Sequence, residues 1–341
     1  MTKTLTILKR LYAKSASQLS MRTGLSLNKP AYICAKMTMR CNSRCAHCNI
    51  WKMDFYPTEL STDDWFRILR ELRSWLGRFR MVFTGGEALL RNEMCDILAH
   101  AVRLGIRVEL LSNGIMLDAA LAARVVATGI DQVTISFDGV TPEVHDRFRG
   151  KTGFHAATKA AILSLAEERR KQGRLLRILL KTVISTNNLH EITAVALWAK
   201  EQKLEVQYQP IEQNYGEEPS PDWYRHSPFW ITDVASLRKE ISALTQIKER
   251  GGGVIANTAG DFDFFLSYFE KPETMMSAIQ SHDNKVRKTS CPHAVGNFVM
   301  ESNGDVRMCF RMEPIGNVSR TSPVTIWRER PRCWAGPCDY R

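Results

Sequence analysis

The sequence lacks the features that would assign it to several common classes of protein. None of its apolar runs approaches the roughly 18 to 20 residues that a membrane-spanning helix needs. The basic segment 1–14 has only scattered apolar residues, unlike the core of a signal peptide. No predicted strand is followed by the pattern G-x-G-x-x-G, which disfavours a dinucleotide-binding fold. We therefore expect a cytoplasmic, globular protein of 341 residues, whose function depends on motifs other than these.

The net charge is basic, but the sequence gives no strong signal for nucleic-acid binding. Lysine and arginine number 47 against 36 aspartate and glutamate, a formal net charge of +11. That balance permits an acidic partner such as RNA, a phosphorylated substrate or an anionic membrane surface. The basic residues are spread along the chain, however. The denser stretches Lys3–Lys14 and Arg169–Arg177 do not alternate with aromatic residues as a nucleic-acid platform does.

The N-terminal extension, residues 1–28, carries a predicted amphipathic basic helix. Segment Leu5–Leu19 spaces its apolar residues at helical intervals, with Lys9, Arg10 and Lys14 between them. One interpretation is a helix packed on the outside of the main domain. The more specific interpretation is a helix that makes peripheral contact with a membrane surface or a partner.

From Ala31 onward, strand-like runs alternate with helical patterns. The predicted strands are Ala31–Met39, Met81–Thr84, Val108–Leu111, Gln132–Phe137, Arg177–Ser185 and Glu205–Pro210. Six such units imply parallel strands joined by right-handed crossovers. We predict an α/β fold, an open (βα)6 barrel of the TIM type over residues 29–212, with a doubly wound sheet as the alternative. Residues 213–285 form a connecting, barrel-closing segment, and 286–341 a small cysteine-rich domain.

Three of the nine cysteines, Cys41, Cys45 and Cys48, have the spacing C-x3-C-x2-C on one short predicted loop. Three thiolates are one ligand too few for a closed tetrahedral zinc site. A [4Fe–4S] cube takes one ligand per iron, so three cysteines leave one iron open for chemistry. A zinc knuckle, or buried thiols placed by chance, remain the alternatives.

Polar and glycine residues follow the next three predicted strands. The second ends in Gly85-Gly86-Glu87, the third in Ser112-Asn113-Gly114, and the fourth in Ser136-Phe-Asp138-Gly139. In α/β barrels the active site lies at this carboxyl end of the strands. We expect these residues to lie together beside the cysteine loop.

These motifs, in this order, resemble the radical S-adenosylmethionine (SAM) superfamily. The resemblance implies that the open iron of a [4Fe–4S] cluster, held by Cys41, Cys45 and Cys48, chelates the amino and carboxylate groups of SAM. One electron, supplied by an external donor such as flavodoxin or ferredoxin, then cleaves SAM to methionine and a 5′-deoxyadenosyl radical. It also assigns SAM contacts to Gly85, Gly86, Glu87, Ser112, Asn113, Ser136 and Arg149.

Three of these assignments come with a departure from the family pattern or with an alternative. The residue after Glu87 is Ala88, where the family usually has proline, which loosens the turn without removing a polar contact. Arg149 suits a carboxylate because a guanidinium binds it through two parallel hydrogen bonds, although Arg147 lies close by. Strand-end capping is the alternative role for Ser136 and Asp138.

A second set of cysteines, Cys291, Cys309, Cys333 and Cys338, lies in the last quarter of the chain. With the glycine turn at Gly304, it resembles the SPASM or Twitch extension of radical SAM enzymes. The resemblance implies a second, auxiliary [4Fe–4S] cluster with four thiolate ligands. A zinc ribbon or unligated thiols are the alternatives.

The expected function is hydrogen abstraction from a C–H bond of an organic substrate, such as a small metabolite, sugar or peptide. A net oxidation or a bond-forming modification would follow. A redox-neutral epimerisation or decarboxylation is an alternative within the same class. The alternative from another class is a non-catalytic iron–sulfur or zinc protein that binds RNA. The sequence predicts neither a general acid or base nor the oligomeric state.

Overall fold

The fold is built on one sheet whose first six strands run parallel. The computed structural model describes residues 15–16, 19–20, 27–53, 58–217, 220, 222–273, 296–310 and 312–330. The strands are β1 Tyr32–Lys36, β2 Arg80–Thr84, β3 Arg107–Ser112, β4 Gln132–Ser136, β5 Arg177–Ile184, β6 Glu205–Pro210, β7 Asn297–Met300, β8 Asp305–Arg307 and β9 Gly316–Asn317.

Helices connect the parallel strands and cover their outer face. They are α1 Thr62–Leu76, α2 Met94–Arg103, α3 Ala119–Ala127, α4 Pro142–Arg149, α5 Phe154–Lys171, α6 Ile192–Glu201, α7 Val234–Glu249, α8 Ala259–Glu270 and α9 Pro323–Glu329. Local signals fix several of their ends. Ser61 and Asp64 form a capping box at the start of α1. Gly105, just beyond α2, has a φ of 74° that suits a helix C-terminus.

The strand order is β6-β5-β4-β3-β2-β1-β7-β8-β9, with β1 to β6 in their sequence order. Adjacent strands among the six are parallel, as in the β1–β2 register that pairs Ile33 with Met81. The sheet stays open between β6 and β9, so the predicted α/β partial barrel is confirmed. The first strand ends at Lys36 rather than Met39, because beyond Met37 the chain bonds to the turn after β2: the Thr38 carbonyl accepts from the amide of Gly86 at 2.8 Å.

The two faces of the sheet have different partners. On β1, Ile33 and Ala35 join the main apolar core beneath the helices. Cys34 faces the other way and packs with Val82 and Val299 in a separate small cluster inside the barrel. Successive side chains of a strand alternate between these two faces, so residues at every second position line the lumen.

The described part of the C-terminal segment continues the same sheet. Strand β7 pairs in parallel with β1, and β8 and β9 follow as antiparallel neighbours. Trp327 of α9 donates its indole N–H to the Asn28 carbonyl at 2.6 Å, which joins the two ends of the described chain. Most of the predicted helix Leu5–Leu19 lies outside the described residues. Among those described, no helix is long and apolar enough to cross a membrane.

The loop predicted over Glu212–Trp230 runs beside the cysteine loop at the carboxyl end of the barrel. Glu217 accepts a hydrogen bond from the Asn49 side chain at 3.1 Å, and Gly216 lies against Met53. Further along, Trp230 packs on Tyr268 and Phe269 of α8, with ring centroids 5.1 and 4.7 Å away. This aromatic cluster joins the loop to α8 within the connecting segment.

Candidate active site

One cavity at the carboxyl end of the barrel brings the first cysteine triplet and the strand-end residues together. Its lining includes the three cysteines and all seven residues assigned to SAM: Cys41, Cys45, Cys48, Gly85, Gly86, Glu87, Ser112, Asn113, Ser136 and Arg149. They come from the loops after β1, β2, β3 and β4 and from α4. The parallel topology thus places four separated sequence segments around one space.

The turn after β2 holds the first part of the cysteine loop through its backbone. The amide of Gly86 donates to the Thr38 carbonyl at 2.8 Å, and that of Glu87 donates to the Arg40 carbonyl at 2.9 Å. A Cβ atom at Gly86 would lie 2.2 Å from the Arg40 oxygen. Glycine is required here because the two backbones approach too closely for a side chain.

The end of α4 holds the second part of the loop in the same way. The amides of Arg44 and Ala46 donate to the carbonyls of Arg149 and Phe148 at 3.2 and 3.0 Å. Gly150 follows with a φ of 74°, and a Cβ there would lie 2.0 Å from the Arg44 oxygen. The cysteine loop is therefore clamped between two backbone segments, each ending in a glycine.

Glu87 is 1% exposed and is fully engaged by the protein. Its carboxylate accepts hydrogen bonds from the amide of Leu89 at 3.1 Å, the hydroxyl of Ser112 at 2.9 Å and the amide of Asn113 at 2.7 Å. Burial raises the pKa of Glu87, and these hydrogen bonds oppose that shift. Glu87 thus joins the turn after β2 to the turn after β3.

Asn113 extends this connection to the cysteine loop. Its side-chain amide donates to Asn42 at 2.7 Å and to Ser43 at 2.9 Å, and its oxygen accepts from the amide of Ile115 at 3.0 Å. The polar turn after β3 therefore fixes the segment between Cys41 and Cys45.

Arg149 points to the cysteines, whereas Arg147 is exposed. The Arg149 guanidinium forms an ion pair with the buried Asp138 and lies 3.7 Å from the Cys45 sulfur. Burial lowers the pKa of Arg149, but Asp138 and Cys45 outweigh that effect and raise it. Asp138 also accepts a hydrogen bond from the Val183 amide at 2.9 Å, so this arginine is held rigidly from β4 and β5.

The three thiols fit the ligand set of an iron–sulfur cube. Burial raises the pKa of Cys41 to about 11 and raises that of Cys48. The Ser43 amide donates to the Cys41 sulfur at 3.4 Å, and Arg149 donates to Cys45, so donors already face two of the sulfurs. No three His, Cys, Asp or Glu side chains of the described residues converge on one metal ion. A cube takes each thiolate on a different iron.

Two aromatic residues of the cysteine loop also line the cavity, and the sequence reasoning missed both. His47 stacks on Phe148 with ring centroids 4.1 Å apart, and its Nδ1 has no partner within the described chain. Burial and the charge of Arg149 lower the pKa of His47 well below its usual value. Trp51 donates its indole N–H to the Cys45 carbonyl at 3.2 Å. The signal available in the sequence was their position: His47 lies inside the cysteine triplet and Trp51 just after it.

Inward-facing strand residues complete the lining: Thr84, Leu111, Thr134 and Lys181. Lys181 on β5 was also missed. Its signal was a charged residue between the apolar Leu180 and the buried Thr182, in the interior of a mostly apolar strand. In a parallel strand covered on both faces, such a residue has to face the lumen.

The second cysteine set is only partly within the described structure. Cys309 is half-buried just beyond β8, at the carboxyl end of the β7–β8 hairpin. Cys291, Cys333 and Cys338 lie outside the described residues, so the auxiliary cluster stays a prediction.

Comparison with known proteins identifies the barrel. Residues 36–195 match the family model of the radical SAM superfamily. The AdoMet-dependent heme synthase of Methanosarcina barkeri is 27% identical over 308 residues, which cover 88% of this chain and 82% of that protein. The Fe-coproporphyrin III synthase of the same organism is 30% identical over 180 residues, 52% of this chain but 43% of its own length. A PqqA peptide cyclase from Granulibacter bethesdensis is 32% identical over 38% of this chain and 34% of its own length.

The fold also has close counterparts among solved structures. SuiB of Streptococcus suis, bound to S-adenosylmethionine, superimposes with a TM-score of 0.69 over 94% of this chain and 71% of its own. At 14% sequence identity that likeness concerns the fold alone. The matching family model, the relatives and the open barrel agree with the cysteine triplet and with the cavity it lines. This protein is an enzyme with a radical SAM domain at residues 36–195.

Proposed function

We propose that this enzyme cleaves SAM reductively in the cavity and removes a hydrogen atom from a C–H bond of an organic substrate. The observation that carries the proposal is the convergence of three cysteines and seven strand-end residues on one space. Cys41, Cys45 and Cys48 would hold a [4Fe–4S] cluster, and the remaining residues would hold SAM. The cluster supplies the electron that SAM cleavage needs, delivered by an external donor such as flavodoxin or ferredoxin.

The hydrogen bonds within the site refine the role of each SAM residue. Because the Glu87 carboxylate already accepts three hydrogen bonds, we assign it to positioning the Ser112–Asn113 turn. The amino group of SAM is then left to the backbone around Gly85 and Gly86. Arg149, held by Asp138 and directed at Cys45, stands where it can bind the SAM carboxylate beside the cluster.

For the substrate we propose a tetrapyrrole that carries carboxylates. The match to the heme synthase spans 88% of this chain, well beyond the barrel core, whereas the matches to two PqqA peptide cyclases span 38% and 52%. The Fe-coproporphyrin III synthase match covers about half of the chain and points to the same substrate class.

A peptide is the second candidate. SuiB has also been solved with its precursor peptide SuiA, and it aligns with 90% of this chain at a TM-score of 0.66. A peptide substrate and a tetrapyrrole predict different products from the same SAM cleavage step, so the two are separable by product analysis.

For the C-terminal cysteines we propose an auxiliary [4Fe–4S] cluster that accepts the second electron of a net oxidation. Fully reconstituted protein would then contain about eight Fe per chain, from two cubes. Iron near four per chain with one tightly bound zinc would make this region a structural ribbon instead.

The deciding experiment compares the wild type with a Cys41→Ala/Cys45→Ala/Cys48→Ala variant after anaerobic reconstitution. With dithionite and SAM, we expect the wild type to form 5′-deoxyadenosine and the variant to form none. The variant should also lose about four Fe per chain. Cys95→Ala, the same change at a buried cysteine of α2 outside the cavity, is the matched control.

Formation of 5′-deoxyadenosine by the triple variant at the wild-type rate would contradict the proposal. The non-catalytic alternative predicts no SAM cleavage by any variant and RNA binding that weakens steeply with salt. The two are therefore separated by one assay and one salt titration.

A further inference from the structure

A row of polar side chains crosses three neighbouring strands near the carboxyl end of the lumen. Lys181 of β5 stands in register with Ser136 of β4 on one side and Gln207 of β6 on the other. Residues in register on parallel strands project to the same face, and Ser136 and Lys181 both line the cavity that holds the cysteines. All three are half-buried.

None of these three side chains has a hydrogen bond or ion pair within the described residues. Lys181 is the charged member. Burial lowers its pKa, and the more distant carboxylates of Glu212 and Glu109 oppose that shift. A half-buried ammonium without a partner costs free energy. An anion bound beside it would remove that cost.

A second inward lysine shows what a lysine with a structural role looks like here. Lys36 of β1 is 3.0 Å from Glu301 and 2.6 Å from the hydroxyl of Tyr215, and its ammonium lies over the Tyr215 ring. The protein therefore supplies the partners of Lys36 itself. It supplies none for Lys181 in the part of the chain that the structure describes.

We propose that Lys181 binds a carboxylate of the substrate, with Ser136 and Gln207 as neutral hydrogen-bonding neighbours. The inference rests on the proposed function and names the group by which the substrate is held. A single ammonium flanked by a hydroxyl and an amide matches the one negative charge of a carboxylate. A phosphate dianion is typically met by arginines or by a helix N-terminus, and neither stands in this row.

The position of Lys181 also distinguishes the substrate carboxylate that it would bind from the carboxylate of SAM. Arg149, on α4, points to Cys45, and we assign it to SAM. Lys181 comes from a different strand and faces the same cavity from the barrel wall. An anchor on the wall would hold the substrate in the lumen beneath the loops that hold SAM.

The test uses reconstituted enzyme with SAM and iron coproporphyrin III as the probe, titrated anaerobically and followed by its Soret absorbance. Its methyl ester, in which the carboxylates are neutral, is the matched ligand. We expect Lys181→Met to weaken binding of the acid form about tenfold or more, the loss of one charged hydrogen bond. Lys181→Arg should retain most of the affinity. Lys200→Met, at an exposed position of α6, should bind as the wild type does.

Several results would overturn the inference. They are equal binding of the acid form by Lys181→Met and wild type, equal binding of acid and ester by the wild type, and a loss of SAM affinity in Lys181→Met as large as the loss for the porphyrin. Failure of the wild type to bind the acid form would overturn both the anchor and the tetrapyrrole class. SAM cleavage, measured in the same preparation, would still decide the proposed function separately.

Discussion

The two ends of the barrel lumen treat polar side chains in opposite ways. At the amino end, a continuous hydrogen-bonded network joins Arg80, Glu109, Gln132, Thr134, Arg177 and Glu205. At the carboxyl end, Ser136, Lys181 and Gln207 have no such partners within the described chain. Buried polar groups are normally paired, because an unpaired one costs free energy. The protein itself thus pairs the polar side chains at the amino end, whereas it leaves the row Ser136, Lys181 and Gln207 at the carboxyl end without partners in the described residues.

The cysteine loop belongs to the carboxyl end but is itself as fully bonded as the amino end. The amides of Gly86 and Glu87 fix its backbone from one side and the carbonyls of Phe148 and Arg149 from the other, and Asn113 binds its side chains. The scaffold of the site is therefore rigid, while Ser136 and Lys181, which also line the cavity, have no hydrogen-bond partner in the described residues. Rigid support of this kind is what holding a reactive centre within a fraction of an ångström requires.

The largest effect is expected from filling the space between the turn after β2 and the cysteine loop. A Cβ in Gly86→Ala would lie 2.2 Å from the Arg40 oxygen, so one of the two backbones has to move. A displacement of about 1 Å costs roughly a hundredfold in rate, and we expect at least that loss of 5′-deoxyadenosine formation together with poorer iron incorporation.

Gly260→Ala provides the control, because Gly260 lies in α8 and its new Cβ would be 3.8 Å from the Thr258 hydroxyl, an ordinary contact distance. Wild-type SAM cleavage by Gly86→Ala would show that the close approach is not what shapes the site.

Replacing Lys36 is expected to have a large effect on the stability of the fold rather than on the reaction. Lys36→Met leaves the fully buried Glu301 with Arg307, 3.5 Å away, as its one ion-pair partner among the described residues. Breaking a buried ion pair in this way costs about 3 to 5 kcal/mol, to be measured as a lower midpoint of urea unfolding. Adding Glu301→Gln should recover a large part of the loss. No loss in Lys36→Met would remove the distinction drawn between the two lumen lysines.

The pH dependence of this pair has a definite sign. Burial lowers the pKa of Lys36, but Glu301 and Tyr215 outweigh it and raise the pKa above 10.5. A raised lysine pKa contributes stability that is fully present below the unfolded value and is lost as the pH rises through the folded one. The difference between the wild type and Lys36→Met should therefore stay constant from neutral pH to about pH 9 and shrink above 10.5.

The smallest effect is expected at the amino end. Arg80→Met removes ion-pair and hydrogen-bond partners from Glu109 and Gln132, but the Arg80 side chain is 48% exposed. Ion pairs of this exposure are worth between zero and about 1 kcal/mol. We expect a small shift in the unfolding midpoint and unchanged SAM cleavage. A marked loss of activity would mean that the amino end is also part of the site.

The sequence by itself determined the elements and the chemistry of the main site. Strand and helix periodicity predicted the six βα units, because hydrophobic patterning is local and repeats along the chain. The spacing of Cys41, Cys45 and Cys48 indicated a cluster, and the residues that end β2, β3 and β4 had to meet since parallel strands share one carboxyl edge. Physical chemistry alone gave no such signal that distinguishes Arg149 from Arg147.

The tertiary structure decided which polar groups are satisfied. Lys36 and Lys181 are both single lysines in apolar strands, and nothing local distinguishes them. Only folding brings Glu301, which is 265 residues from Lys36 in the chain, next to Lys36. Folding leaves Lys181 facing the cavity. It likewise made the Glu87 carboxylate the link between the turns after β2 and β3, and it added β7 to the edge of β1. Hydrogen-bond partners and lumen contacts are long-range, so no local pattern in the sequence encodes them.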